Sequence, residues 1–119
     1  MFLFDKDTTR KRKSFLFSNE DVYLDSGRRK TGTSRRSFFD RNKTIYYDKD
    51  GKKIGYSRPA FFDSSRTVYF DDNGHKIGTS RKSLLNGHDE VFFDAKGNKV
   101  AVEKDALFFK DEKVFIKKQ

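Results

Sequence analysis

The chain has 119 residues, of which 27 are Lys or Arg and 18 are Asp or Glu, so its formal net charge is +9. This length suits one domain or one array of small units and is too short for two ordinary domains. The absence of Cys excludes disulfides and thiolate metal sites, and no apolar run approaches the roughly 20 residues that span a bilayer as a helix.

The aromatic content argues for a folded chain despite the polar composition. Charged residues make up 38% of the sequence, a proportion that by itself favours disorder. However, 16% of the residues are aromatic, including 14 Phe and 5 Tyr. Because these aromatics are placed periodically, we predict a folded domain with a thin, aromatic-rich core.

The N-terminal segment, residues 1–21, is predicted to be a shortened leading copy of the repeat that follows it. It begins with a short apolar stretch that Asp5 follows at once. An acidic residue at this place is unlike a secretory signal peptide, so we expect a cytoplasmic protein.

Residues 22–113 repeat themselves with a step of 23 residues. The step is kept by the aliphatic residues Val22, Ile45, Val68, Val91 and Val114, by Gly32, Gly55, Gly78 and Ala101, and by the apolar pairs 15–16, 38–39, 61–62, 84–85 and 107–108. Agreement across so many positions predicts a single repeat domain over residues 1–119. Its full copies are 22–44, 45–67, 68–90 and 91–113, and a closing strand occupies 114–119, since end units of repeat arrays are atypical.

Each copy has the pattern of a β-hairpin. The stretches "TIYYD" and "TVYFD" are β-branched and aromatic, and turn sequences such as "KDGK" and "DNGH" follow them. The second strand runs through "KIGYS" or "KIGTS", and "DRNK" or "DSSR" leads into the next copy. The fold is therefore predicted to be all-β, an antiparallel meander of stacked 23-residue hairpins in an elongated or curled single sheet, with a closed barrel or small propeller as the alternative.

A four-residue hairpin loop sets the predicted pairing of the strands. It places Asp48 opposite Lys53, Tyr47 opposite Ile54, Tyr46 opposite Gly55 and Ile45 opposite Tyr56. Because side chains alternate along a strand, one apolar face then carries Ile45, Tyr47, Ile54 and Tyr56. On an elongated sheet such a face needs a cover, so a homo-oligomer or curling of the sheet is expected. In the first copy Gly27 lies one place earlier than the turn glycines of the other copies, so a different turn type is expected.

The hairpins "YYDKDGKKIG" and "YFDDNGHKIG" resemble the short Tyr-rich, Gly-punctuated repeats of the MORN family. Bacterial YwqK-type proteins have a similar rhythm of paired Tyr and Gly. The resemblance covers residues 22–113 and implies hairpins that stack into an elongated sheet. It also implies a non-catalytic scaffold or binding module, with acidic phospholipids or proteins as typical partners.

Basic residues also follow the repeat and suggest where an anion would bind. Arginines at the 23-residue step should form a ladder with a spacing of about 9.6 Å, two strand widths. The candidate anion-binding residues are Arg12, Arg35, Arg58 and Arg81, with the clustered Arg28, Arg29, Lys30 and Arg36. Ser34, Ser57 and Ser80 are expected to donate to the same anion. Two plain alternatives are a solvated basic face and pairing of each Arg with an acid of a neighbouring copy, such as Asp40 or Asp63.

We therefore expect a non-enzymatic interaction module that binds nucleic acid, acidic lipid or an acidic protein surface. The alternative is a structural or assembly protein whose repeats mediate self-association. No catalytic residue, metal site or cofactor is predicted. The turns "DKDG" and "DDNG" lack the rest of a calcium-binding loop, and no Ser-His-acid arrangement is visible.

Overall fold

The computed structural model describes residues 1–85, 87–107 and 111–118. Within these ranges it contains a short 3-10 helix, Phe2–Phe4, and ten β-strands. The strands are β1 Arg10–Lys13, β2 Glu20–Leu24, β3 Lys30–Arg36, β4 Thr44–Asp48, β5 Lys53–Pro59, β6 Arg66–Asp71, β7 Lys76–Lys82, β8 Glu90–Asp94, β9 Lys99–Asp105 and β10 Glu112–Lys117.

The strands form an antiparallel meander that closes into a barrel. Each strand pairs with its neighbours in the sequence, and β1 pairs with β10 to complete the ring. The all-β meander predicted from the repeat is confirmed, and the sheet is the closed barrel that stood as the alternative to an elongated or curled sheet. Closure pairs the first and last strands with each other, so neither offers an unpaired edge for aggregation. Among the described residues, no helix has the length and apolarity to cross a membrane.

The meander gives the barrel two different ends. The tight turns inside each hairpin, such as residues 49–52, lie at one end, which we call the hairpin end. The connections between hairpins, such as residues 60–65, lie at the other, which we call the loop end. The exposed apolar pairs and most of the ladder arginines are close to the loop end.

The predicted pairing is correct in the middle of each hairpin and wrong near its turn. Tyr46 pairs with Gly55 and Ile45 with Tyr56, as expected. A β-bulge then shifts the register, so that Tyr47 pairs with Lys53 and not with Ile54. The predicted pairing of Asp48 with Lys53 is also wrong, because the Asp48 amide donates to the Lys52 carbonyl. The turn that causes this shift places Gly51 at a φ of +85°, a left-handed conformation that suits glycine.

The interior of the barrel is the face that carries the aromatic residues opposite the glycines. Tyr23, Tyr46, Tyr69, Phe92 and Phe115 are buried there and form one aromatic cluster. The predicted apolar face with Ile45, Tyr47 and Tyr56 is instead on the outside, where these side chains are only partly covered. The bulge separates Ile54 from that face, and it packs against the core.

The N-terminal residues fill the barrel at the hairpin end. The ring of Phe2 lies 4.6 Å from that of Tyr23, and the ring of Phe4 lies 5.4 Å from that of Tyr69. A Cβ atom at Gly32 would lie 2.5 Å from the Phe2 ring, so glycine is needed for this close approach. The segment 1–21 therefore supplies β1 and, in addition, part of the hydrophobic core.

The first hairpin uses the same turn as the others, which corrects the expectation of a different type. The Asp25 amide donates to the Arg29 carbonyl, as the Asp48 amide does to Lys52 in the second hairpin. The position of Gly51 is taken by Arg28, which has a φ of 63°. A non-glycine residue here is strained by a small amount, on the order of 1 kcal/mol.

Candidate anion-binding surface

The ladder arginines lie in equivalent places on the outer face of the barrel. Arg35 pairs with Ile45, Arg58 with Val68 and Arg81 with Val91, while Arg12 pairs with Val22. Because the serine before each of the last three arginines points inward, the arginines point outward. The repeat thus places them in a row around one belt of the barrel.

Several members of this row form ion pairs with an acid of the preceding unit. The guanidinium of Arg35 is 2.7 Å from Glu20, and that of Arg58 is 3.0 Å from Asp40. Lys104, which follows Arg81 by 23 residues and takes the same position in the last copy, has its ammonium 2.6 Å from Asp89. The pairing of Arg58 with Asp40 is the one that the sequence suggested as an alternative role for the ladder. These contacts neutralise part of the positive charge of the row. The Arg35–Glu20 pair joins the two strands of one hairpin, and the other two pairs join the second strand of a hairpin to the loop before it.

The other two arginines lie over aromatic rings. The Arg12 guanidinium is 5.1 Å from the centre of the Phe15 ring, and that of Arg81 is 5.3 Å from the Phe93 ring. The pKa of the Asp63 carboxyl is lowered mainly by the hydrogen bonds from Ser65, and the charge of Arg81 adds a smaller effect in the same direction. The planar faces of these two guanidinium groups therefore already contact aromatic rings of the protein.

A groove at the loop end brings three arginines together. It has a volume of about 610 Å³ and is lined by Asn19, Arg35, Arg36, Ser37, Phe38, Arg41, Ile45 and Tyr47. Arg36 and Arg41 are exposed, and Arg35 is half-buried. The Nε atom of Arg35 is buried and makes no hydrogen bond within the described residues. Between residues 35 and 44 there are four basic side chains and one acid, so the local charge is +3.

Geometry inside the groove suits an anionic group with an apolar neighbour. The Arg35 guanidinium lies 5.0 Å from the Phe17 ring and 5.9 Å from the Tyr47 ring, which limit its movement. Arginine presents a planar fork of donors that matches phosphate and carboxylate oxygens. Two of these arginines, Arg35 and Arg36, were among the predicted candidates. Arg41 was not, because it follows the apolar pair and is separate from the ladder in the sequence.

The basic cluster 28–30 lies elsewhere, in the first hairpin turn. Arg28 makes two hydrogen bonds to the buried Glu112 carboxylate, at 3.0 and 3.1 Å, and lowers its pKa. Arg29 bonds the Asp25 carboxylate at 3.2 Å, and Lys30 begins β3 in an exposed position. These residues belong to the hairpin end and are not part of the groove.

The serines of the ladder do not take the role expected of them. Ser34, Ser57 and Ser80 face the interior, where each hydroxyl is hydrogen-bonded to a tyrosine hydroxyl at 3.0 or 3.1 Å. Burial is the main cause that raises the pKa of these tyrosines, so they stay neutral donors or acceptors at ordinary pH. The expectation that the serines bind the same anion as the arginines is wrong, because alternation along the strand turns them to the opposite face.

The aspartates of the hairpin turns bind their own backbone. The Asp71 carboxylate accepts hydrogen bonds from the amides of Asn73 and His75, each at 2.9 Å, and its pKa is lowered mainly by the bond from His75. Asp94 makes the equivalent bonds in its turn. In the parts of the chain that the structure describes, there is no group of three or more potential metal ligands.

The fold and surface together define a closed antiparallel barrel of hairpin repeats with an arginine groove at one end. No known family model matches the chain, and no curated protein matches it. Among solved structures, the X-ray structure of a protein from Arabidopsis thaliana is similar, with a TM-score of 0.54 and 14% sequence identity. The match covers 93% of this chain and 78% of the plant protein. At this identity the likeness shows the fold alone.

Proposed function

We propose that this protein is a non-enzymatic interaction module that binds an anionic partner through the arginine groove and the adjoining ladder. The observation that supports this proposal most directly is that Arg35, Arg36 and Arg41 line one groove. The segment that contains them, residues 35–44, has a net charge of +3. Nucleic acid, acidic lipid and an acidic protein surface all present the required oxygens. A scaffold or binding role of the kind that the MORN resemblance implies, in the cytoplasm, is part of this proposal.

The groove is a better candidate than the ladder alone. Arg35, Arg58 and Lys104 are already paired with Glu20, Asp40 and Asp89, so a partner would have to displace these carboxylates. Arg36 and Arg41 are exposed; Arg36 ends β3 and Arg41 lies in the loop that follows it, where Asp40 is the one acidic residue. Like charges that line one groove repel each other at physiological salt, and a bound anion relieves this repulsion.

Salt-dependent binding to heparin tests the proposal. We expect wild-type binding to weaken steeply between about 50 and 200 mM salt, since counterion release drives such binding. The variant Arg36→Ala/Arg41→Ala should bind about tenfold or more weakly and show a shallower salt slope. The matched control Lys52→Ala/Lys76→Ala removes the same charge from exposed positions at the hairpin end and should bind nearly as the wild type does.

If the two variants lost the same heparin affinity, binding would depend on net charge alone, and the groove would not be the binding site. Absence of wild-type binding both to heparin and to acidic lipid would contradict the proposal as a whole.

The ion pairs between successive units favour a second candidate, a structural role in assembly. Each of these pairs joins an arginine or lysine to an acid of the unit before it. If the ladder acts only between copies of this chain, sedimentation will detect salt-independent self-association while heparin binding is absent.

A further inference from the structure

The loop end carries a ring of apolar side chains that the described residues of the protein leave uncovered. They are the pairs at 15–16, 38–39, 61–62 and 84–85, together with Leu107, and we call them the apolar rim. Their side chains are between 84% and 99% exposed. The rim consists of Phe and Leu alone, and such a large exposed set is unusual for a protein surface with no partner.

The backbone of each loop holds its apolar pair away from the barrel. The amide of the residue before each pair donates to the carbonyl six residues later. These bonds are Ser14 to Glu20, Ser37 to Lys43, Ala60 to Arg66, Ser83 to Asp89 and Ala106 to Glu112, at 2.7 to 2.9 Å. The same backbone bond therefore closes all five loops, and the described side chains of the pairs lie exposed to solvent. Within two pairs, the rings contact each other edge to face, 5.1 Å apart for 38–39 and 4.8 Å apart for 61–62.

The closed barrel arranges these loops in a circle. Successive loops are two strands apart, about 10 Å in a sheet, and all of them leave the same end of the barrel. A circle of equivalent tips contacts a flat surface at several points at once, whereas a pocket would suit a small molecule. The rim is therefore shaped for an extended, planar partner.

Positive charge lies directly behind the tips. Phe38 belongs to the rim and also lines the arginine groove, so the two surfaces are continuous. The stretches 12–21, 35–44, 58–67 and 81–90, which carry the four pairs, contain ten basic and six acidic side chains, a net charge of +4. Apolar side chains at the tip with Arg and Lys behind them match the layers of an anionic membrane, where phosphates lie outside the acyl region.

We propose that the anionic partner is the surface of an anionic lipid bilayer, an inference that rests on the proposed function. The apolar rim inserts between the headgroups, and the arginine groove binds the lipid phosphates. A second copy of the chain suits the rim less well, because rim-to-rim contact would oppose two identical loops of charge +3. Single-stranded nucleic acid suits it less well too, because Leu84 and Leu85 offer no aromatic face on which a base could stack.

Vesicle co-sedimentation tests this inference. We expect binding to vesicles of phosphatidylcholine with phosphatidylserine, and little binding to phosphatidylcholine alone. The variant Phe61→Ser/Phe62→Ser/Leu84→Ser/Leu85→Ser should lose more than about tenfold of the vesicle affinity. Its heparin binding and its thermal unfolding should stay as in the wild type, because these side chains are at least 88% exposed and none of them lines the arginine groove.

A tryptophan probe reports insertion directly, because the natural chain has no Trp. In Phe39→Trp, bound vesicles should shift the emission to the blue, and brominated lipids should quench it. Asn73→Trp, an exposed position at the hairpin end, is the matched control and should show neither effect.

The outcomes separate the two proposals. Heparin binding without binding to anionic vesicles overturns the lipid inference and leaves the proposed function standing. Vesicle binding that the four serine substitutions do not weaken overturns insertion of the rim. Concentration-dependent dimerisation that these substitutions abolish, with no vesicle binding, assigns the rim to a second copy and overturns the lipid partner. Loss of both heparin and vesicle binding contradicts the proposed function itself.

Discussion

Truncation of Phe2 tests whether the N-terminal residues are part of the barrel core. Phe2 is 5% exposed, and its ring contacts those of Tyr23 and Tyr46 at 4.6 and 6.0 Å. A buried Phe side chain removes roughly 150–250 Å² from water, worth about 4–6 kcal/mol at 25 cal/mol per Å². Since alanine keeps the Cβ atom, we expect Phe2→Ala to lower the free energy of unfolding by about 3–5 kcal/mol.

Urea unfolding followed by far-UV circular dichroism measures this loss. The matched control is Phe62→Ala, which removes the same atoms from a side chain that is 96% exposed. That substitution should change the free energy of unfolding by no more than about 0.5 kcal/mol. Because a protein of marginal stability could unfold completely when Phe2 is truncated, Phe2→Leu gives an intermediate and measurable loss. If Phe2→Ala and Phe62→Ala had the same effect, the first residues would not belong to the core.

Two further substitutions test the buried polar groups. Tyr46→Phe leaves the Ser57 hydroxyl without its 3.1 Å partner and should cost about 1–2 kcal/mol of unfolding free energy, whereas adding Ser57→Ala should recover part of that loss in a double-mutant cycle. Burial lowers the pKa of the Lys117 ammonium, which donates to the Leu3 carbonyl, from 10.5 to about 8. Between these two values the unfolded chain holds more protons than the folded one, so this group makes stability rise with pH, by at most about 3 kcal/mol. Lys117→Met should remove that rise when urea midpoints near pH 8 and pH 10 are compared, and an unchanged pH dependence would contradict the assigned pKa.

The hairpin pattern was predictable because its causes are local. Alternating aromatic and β-branched residues, followed by Asp and Gly, specify a strand and a tight turn wherever they occur. For this reason the pairing of Tyr46 with Gly55 could be predicted from the sequence. The β-bulge next to this pair could not be predicted from the sequence. The assumed four-residue loop and the observed turn differ by one hydrogen bond, and the sequence does not distinguish the two turns.

The candidate surface was predictable only in part. Equal spacing placed Arg35 and Arg58 in equivalent positions, as the strand pairing shows. The orientation of Ser57 was wrong because the expectation treated adjacent residues of a strand as neighbours on one face. The exposure of the apolar pairs could not be predicted, because an apolar pair in a short loop is equally compatible with packing onto the barrel.

The sequence by itself determined the unit of this protein: a 23-residue hairpin, its antiparallel connection to the next, and the row of arginines that equal spacing produces. Only the tertiary structure decided that β1 and β10 meet, which face becomes the interior, and that Phe2 and Phe4 fill it. The physical reason is that strand and turn formation depend on residues a few positions apart. Closure of the barrel depends on contacts between residues about a hundred positions apart, such as Arg10 and Val114, and on which face gains more from leaving water.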